Sequence, residues 1–157
     1  MEMKRLPGMV PFWERFPEVA ARETRVVRLP QPMGCLPAGG YAFAEFFCDE
    51  PTCDCRRVLI QVWQEKAPGQ AITTINFGWE TLNFYTRWMH GDEASAREIV
   101  SASLDPLNPQ SNLSDGLLEL FRYVIEEDPD YVARLARHYE MCKRGHKGRS
   151  RNPSRGG

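Results

Sequence analysis

The sequence lacks the motifs that mark the common enzyme classes. It contains no G-x-G-x-x-G, no G-x-x-x-x-G-K-[ST], no H-E-x-x-H and no G-x-S-x-G. These patterns supply the phosphate cradle of nucleotide-binding proteins, the zinc ligands of metalloproteases and the nucleophile of serine hydrolases. Their absence favours a protein that is not an enzyme.

The sequence also lacks a long apolar run. No stretch approaches the roughly 20 residues that cross a bilayer, and the first residues lack the apolar segment of a signal peptide. We therefore predict a cytoplasmic protein without membrane contact. In that reducing compartment, the five cysteines are expected to be metal ligands or redox groups rather than structural disulfides.

Acidic residues are missing from residues 143–157, which hold six of the twenty Lys and Arg. Residues 1–142 consequently carry a formal charge of −7. The tail has no large apolar residue to bury, which predicts disorder. It serves either as a solubility tail or as a weak, sequence-independent contact for nucleic acid, with Tyr139 as the nearby aromatic ring that stacks on a base.

Residues 1–142, without the basic tail, have the length of one domain. Residues 1–40 hold half of the twelve prolines and predict an irregular arm, interrupted by a short helix from Pro17 and an edge strand over residues 25–29. Residues 41–142 are expected to form a single α+β domain. Alternating apolar side chains predict an antiparallel meander of three strands, over residues 41–47, 58–63 and 71–77.

Helical periodicity replaces the strand pattern after the meander. It predicts three or four helices, over residues 80–89, from Asp92 to 100, from Ser114 or Asp115 to 127, and from Pro129 to Gly145. We expect these helices to pack on one face of the sheet, which is the usual α+β arrangement.

Three cysteines, Cys48, Cys53 and Cys55, lie within eight residues between the first two predicted strands. The intervening residues 49–52 have the composition of a turn. Pairing of the two strands would therefore bring the three sulfurs to one hairpin tip. Thiolates are preferred zinc ligands, and a closed structural site needs four of them or a mixture with imidazole. The C-x4-C-x-C spacing thus predicts a Zn²⁺ site that is one ligand short.

The fourth ligand is predicted to be His138 or Cys142, which are four residues apart and share one face of the last helix. Either side chain would complete a tetrahedron if that helix crosses the hairpin tip. Cys35, His90 and His146 are further candidates. The alternative for His138 is an ordinary core or capping histidine.

A redox role is the alternative for the cysteines. Arg56 and Arg57 follow Cys55 directly, and neighbouring cations lower the pKa of a thiol. They would then make Cys53 and Cys55 an oxidisable pair. The simpler interpretation is that the two arginines balance the acidic residues of the turn.

Residues 41–58, 74–80 and 104–111 together resemble an uncharacterised family of bacterial proteins, with a match over about residues 41–139. The resemblance lies in the C-x4-C-x-C-R-R hairpin and a D-P-L-N-P-Q-S loop. It implies a bacterial, cytoplasmic single domain. The family has no assigned activity, so the resemblance adds no substrate. It also suggests that residues 105–111 form a specific loop beside the cysteine hairpin, or else a well-ordered structural loop.

Taken together, these patterns predict a small binding or regulatory module with an unknown protein partner. In this prediction a structural Zn²⁺ fixes the hairpin tip against the last helix. The alternatives are a redox-responsive thiol protein and a non-specific nucleic-acid binder that uses residues 143–157.

Overall fold

The computed structural model describes residues 8–151, and it describes side chains for residues 8–145. Its strands are β1 (Met9–Pro11), β2 (Arg25–Leu29), β3 (Gly39–Cys48), β4 (Arg57–Gln64), β5 (Thr73–Gly78) and β6 (Ser103–Leu104). Its helices are α1 (Phe12–Arg15), α2 (Pro17–Glu23), α3 (Leu82–Trp88), α4 (Glu93–Ser101), α5 (Ser114–Glu127) and α6 (Pro129–Arg151). Within the described range, all six strands form one antiparallel sheet, which confirms the α+β class.

The predicted meander is the centre of this sheet. Strands β3, β4 and β5 pair in sequence order, with Phe43 opposite Val62 and Val62 opposite Thr73. Strand β6 extends the sheet beyond β5. Strands β1 and β2 share the outer edge of β3, because β1 pairs with its last residues and β2 with its first.

The N-terminal arm is more regular than its proline content predicts. The helix from Pro17 and the strand over residues 25–29 form as expected, but α1 and β1 were not predicted. The prolines tolerate these elements because they lie at their boundaries: Pro11 ends β1 and Pro17 is the first residue of α2.

One face of the sheet forms the main core with α5 and α6. Phe43 of β3 contacts Phe121 of α5, with ring centroids 5.6 Å apart. Further along β3, Phe47 contacts Tyr139 of α6 at 6.2 Å. The first pair fixes α5, and the second fixes the last helix, α6, along the strand that ends at Cys48.

The opposite face of the sheet is also covered by helices. Trp13 of α1 packs edge-on against Phe46, with centroids 5.1 Å apart. Gly78 of β5 leaves no room for a Cβ because Tyr85 of α3 and Ile99 of α4 approach it closely. The prediction that all helices pack on one face is therefore corrected. The reason is visible in β3, which is apolar on both faces and needs cover on both.

Helix α6 continues to Arg151, whereas the sequence predicted that it ends at Gly145. A single glycine costs about 1 kcal/mol in a helix and need not end one. Residues 152–157, the end of the predicted disordered tail, lie outside the described residues. None of the helices in residues 8–151 combines the length and the apolar character that crossing a membrane requires.

Candidate metal centre

The three clustered cysteines meet at the tip of the β3–β4 hairpin. Cys48 is the last residue of β3, and Cys53 and Cys55 lie in its connection to β4. Their three sulfur atoms all lie within 4.8 Å of one another. A zinc ion bonded to thiolates at about 2.3 Å holds its sulfurs about 3.8 Å apart in a tetrahedron. The cluster can therefore hold a metal ion after sulfur shifts of about 1 Å or less.

Protein contacts fix the shape of the connection. Arg56 has a left-handed backbone, with φ of 46°. Its guanidinium donates to both carboxylate oxygens of Asp54, at 2.9 and 2.8 Å, and its carbonyl accepts a 2.6 Å hydrogen bond from Tyr85. A longer ion pair of 3.4 Å joins it to Glu80. Arg56 thus balances Asp54 of the turn, which agrees with the simpler interpretation for this one pair. Asp49 pairs with Arg15 instead.

Arg57 is placed differently. Its Nη1 atom donates to Asn76 Oδ1 at 3.2 Å, and its guanidinium lies 4.9 Å from the centre of the Trp88 ring. Among the residues with described side chains, no carboxylate lies within ion-pair distance of it. Among the described side chains, Arg57 is therefore a fixed cation without a carboxylate partner, two residues from Cys55.

The environment of Cys55 disfavours a free thiolate. Its side chain is only 3% exposed, and burial raises its pKa from the ordinary 9.0 to about 11. The neighbouring Cys48 contributes to this rise, and the charge of Arg57 opposes it only in part. The redox interpretation expected the arginines to lower this pKa; Arg57 does so, but the net shift is upward. Burial is the stronger effect at this position.

We expect metal binding to strengthen with rising pH. A metal binds the thiolate of Cys55, so its binding releases the proton that a pKa of about 11 retains at neutral pH. Between pH 6 and pH 8, this proton alone contributes about a tenfold rise in the association constant per pH unit, and any proton released by another thiol ligand adds to the slope. Competition titrations with a chelator of known affinity measure the slope. The slope should fall by about one log unit per pH unit in Cys55→Ser, and an unchanged slope in that variant would contradict binding through Cys55.

The metal-free protein has the opposite pH dependence. A raised pKa means that the fold favours the protonated thiol, so this contribution to stability is complete below pH 9. It is lost as the pH rises from 9 toward 11.

His138 does not join the cysteines. Its buried ring lies between two carboxylates, with Nδ1 2.6 Å from Glu45 Oε1 and Nε2 2.7 Å from Glu23 Oε1. The ring also stacks on Phe12, with centroids 4.0 Å apart. Both ring nitrogens are hydrogen-bonded, so neither is available to a metal. The prediction of His138 as a ligand is corrected in favour of its alternative, a core histidine.

The two carboxylates around His138 differ in their surroundings. Burial raises the pKa of Glu45, although the hydrogen bond with His138 partly opposes this shift. The pKa of Glu23 is lowered, mainly by its hydrogen bond with His138. The histidine therefore links α6 both to the buried strand β3 and to the more exposed end of α2.

Cys142 lies near the hairpin tip but outside the cluster. Helix α6 crosses the tip, as predicted. The contact that shows this is a hydrogen bond from Lys143 Nζ to the carbonyl of Glu50, at 2.7 Å. Cys142 and Cys48 line the same small cleft, yet Cys142 is not among the three sulfurs that lie together. Burial raises its pKa to about 12. Of the further candidates, Cys35 packs against Gly116 of α5, and the side chain of His146 lies outside the described residues.

A cleft of about 680 Å³ opens beside the cluster. All three cysteines line it, together with Arg57, Asn76 and the loop over residues 105–108. The suggestion that this loop lies beside the cysteine hairpin agrees with the structure. Sequence reasoning missed Arg57 and Asn76 as site residues. The available signal was strand alternation, which places both on the face opposite the buried Val58.

The aromatic ring predicted to stack on nucleic-acid bases is buried. Tyr139 is 1% exposed, and Lys143 lies over its ring with Nζ 5.4 Å from the centroid. This part of the nucleic-acid prediction is wrong because the ring belongs to the core. Contact through the rest of the tail stays a prediction.

Comparison of the chain with protein-family models, with curated proteins and with solved structures finds no match. The resemblance of the hairpin to a bacterial family therefore stays a prediction. What the structure defines is an α+β protein with a cluster of three cysteines that can hold a metal ion.

Proposed function

We propose that this protein is a zinc-binding module in which Cys48, Cys53 and Cys55 bind one Zn²⁺ as thiolates. The observation that carries the proposal is the approach of the three sulfurs to within 4.8 Å of one another. Thiolate donors favour zinc and other soft or borderline metals over Mg²⁺ and Ca²⁺, which take oxygen ligands. All five cysteines are unpaired in the structure, so the three sulfurs are available as ligands.

The charge of the site supports binding of a divalent cation. Three thiolates and one Zn²⁺ leave a net charge of −1 at the tip. Arg57, which has no carboxylate partner among the described side chains, lies next to this charge and offsets it. Its position is maintained by Asn76 and Trp88, so this compensation needs no rearrangement.

The site differs from a closed structural zinc site. Such a site has four protein ligands, whereas three ligands with one open position are typical of sites that bind water or a substrate. Within the described side chains, only three cysteines form the cluster. We therefore assign the module a binding or regulatory role, in which the metal ties the hairpin tip and also accepts an external ligand.

Metal content tests this proposal directly. We expect native mass spectrometry to find about one zinc per chain in the wild type and none in the Cys53→Ser/Cys55→Ser variant. The matched control is Cys35→Ser, which removes an exposed thiol outside the cluster and should retain the zinc. Equal zinc content in the double variant would overturn the assignment of the site.

A further inference from the structure

The cleft beside the cysteines is built on the sheet face opposite the main core. Register pairs Leu59 with Asn76 and Asn76 with Ser103, so these three residues share that face. Together with Arg57, they form the floor of the cleft. The three cysteines, Glu98 of α4 and the loop over residues 105–108 also line it. Its volume of about 680 Å³ is that of a small-molecule site and far exceeds the space of one water.

The loop at the edge of the cleft is held in place by its own hydrogen bonds. Asp105 accepts from the backbone of Leu107 at 2.9 Å and from the side chain of Asn108 at 2.6 Å. Gln110 donates to the carbonyls of Thr74 and Asp105, both at 2.8 Å. The cleft is therefore formed before any ligand enters, which reduces the entropy lost on binding.

Two groups in the cleft point to the chemistry of a ligand. The first is the metal position, where three thiolates donate charge and leave a soft centre that favours a sulfur donor as its fourth ligand. The second is Arg57, whose planar guanidinium suits a carboxylate. Asn76 and Trp88 orient this guanidinium.

We propose that the cleft binds a small thiol that carries a carboxylate, with its sulfur on the metal and its carboxylate on Arg57. This inference rests on the proposed binding of a metal by the three cysteines. On binding, a metal–sulfur bond forms and the S–H bond of the ligand breaks. The proton passes to water, because a coordinated thiol is deprotonated.

Cobalt(II) in place of zinc makes the fourth ligand visible, since its absorption spectrum responds to the number of sulfur donors. The first step is titration of the metal-free chain with Co²⁺ alone. The second step is titration of the Co²⁺ protein with glutathione, a tripeptide thiol with two carboxylates. We expect additional thiolate-to-cobalt absorption with glutathione and none with S-methylglutathione, which lacks the free thiol.

The arginine is tested with a matched pair of variants. Arg57→Gln should weaken glutathione binding at least tenfold and leave the Co²⁺ stoichiometry at one. Arg28→Gln should leave the glutathione affinity and the Co²⁺ stoichiometry unchanged. Arg28 is an exposed residue of β2 that pairs with Glu65, away from the cleft. Equal glutathione affinity in both variants would overturn the role of Arg57.

The outcomes separate this inference from the function on which it rests. Failure of Co²⁺ to bind would contradict the metal site itself. A Co²⁺ protein with three cysteine ligands and no response to glutathione would contradict only the thiol ligand. A spectrum that changes in Cys142→Ser or His146→Ala before any ligand is added would show that the chain supplies the fourth ligand, and would overturn the open position.

Discussion

Replacing His138 by alanine is expected to lower the free energy of unfolding by about 3–5 kcal/mol and to leave the zinc content at one per chain. The loss arises because Glu45 is 3% exposed and its Oε1 atom loses the hydrogen bond to the ring. A buried carboxyl group without this partner must either stay charged or take up a proton, and burial already raises its pKa. The stacking contact with Phe12 is lost as well. Urea unfolding followed by tryptophan fluorescence measures the first effect, and native mass spectrometry measures the second.

A double-mutant cycle separates this effect from simple loss of volume. Glu45→Gln alone should change stability by less than about 1 kcal/mol, since an amide can keep the hydrogen bond to the ring and carries no charge to desolvate. His138→Ala/Glu45→Gln should then be more stable than His138→Ala by about 1–3 kcal/mol. Loss of zinc in His138→Ala, with the fold intact, would instead restore the histidine as a metal ligand.

Zinc at about 1,000 times its dissociation constant is expected to raise the free energy of unfolding by about 4 kcal/mol. The metal binds the folded hairpin, where the three sulfurs lie together, more tightly than the unfolded chain. Stability therefore increases with free zinc and falls when a chelator removes it. Denaturant unfolding at several buffered zinc concentrations measures this dependence.

The Cys53→Ser/Cys55→Ser variant is the control for this linkage. Without two of the three ligands it should gain less than about 1 kcal/mol over the same range of zinc. It should nevertheless fold without zinc, because Asp54, Arg56 and Tyr85 fix the connection by contacts that involve no sulfur. An equal gain in the variant and the wild type would mean that zinc stabilises the protein through another site.

Most of the secondary structure could be predicted because its signals are local. Alternation gave the three central strands, and Pro17 and Pro129 marked helix starts that the structure contains. The unpredicted β1 and β6 have three and two residues. Strands this short show no alternation, and they exist only because β3 and β5 offer them an edge to pair with.

The candidate ligands also divide into those that a local pattern predicts and those that depend on distant contacts. The sequence by itself determined that Cys48, Cys53 and Cys55 meet, since eight residues around one turn bring them to the same tip. That α6 brings Cys142 near that tip was only an expectation, and the tertiary structure supplied it through the contact of Lys143 with Glu50. The sequence did not determine the environment of His138, whose partners Glu45 and Glu23 lie 93 and 115 positions away in the chain.

Only the tertiary structure decided which arginine is neutralised and where the cleft lies. Arg56 and Arg57 are adjacent in sequence, yet one pairs with Asp54 while the other projects toward Asn76 and Trp88. The cleft exists because the hairpin tip, one face of the sheet and a loop some 50 residues further along the chain come together. Such packing depends on shape and burial summed over distant segments, which no local pattern of residues records.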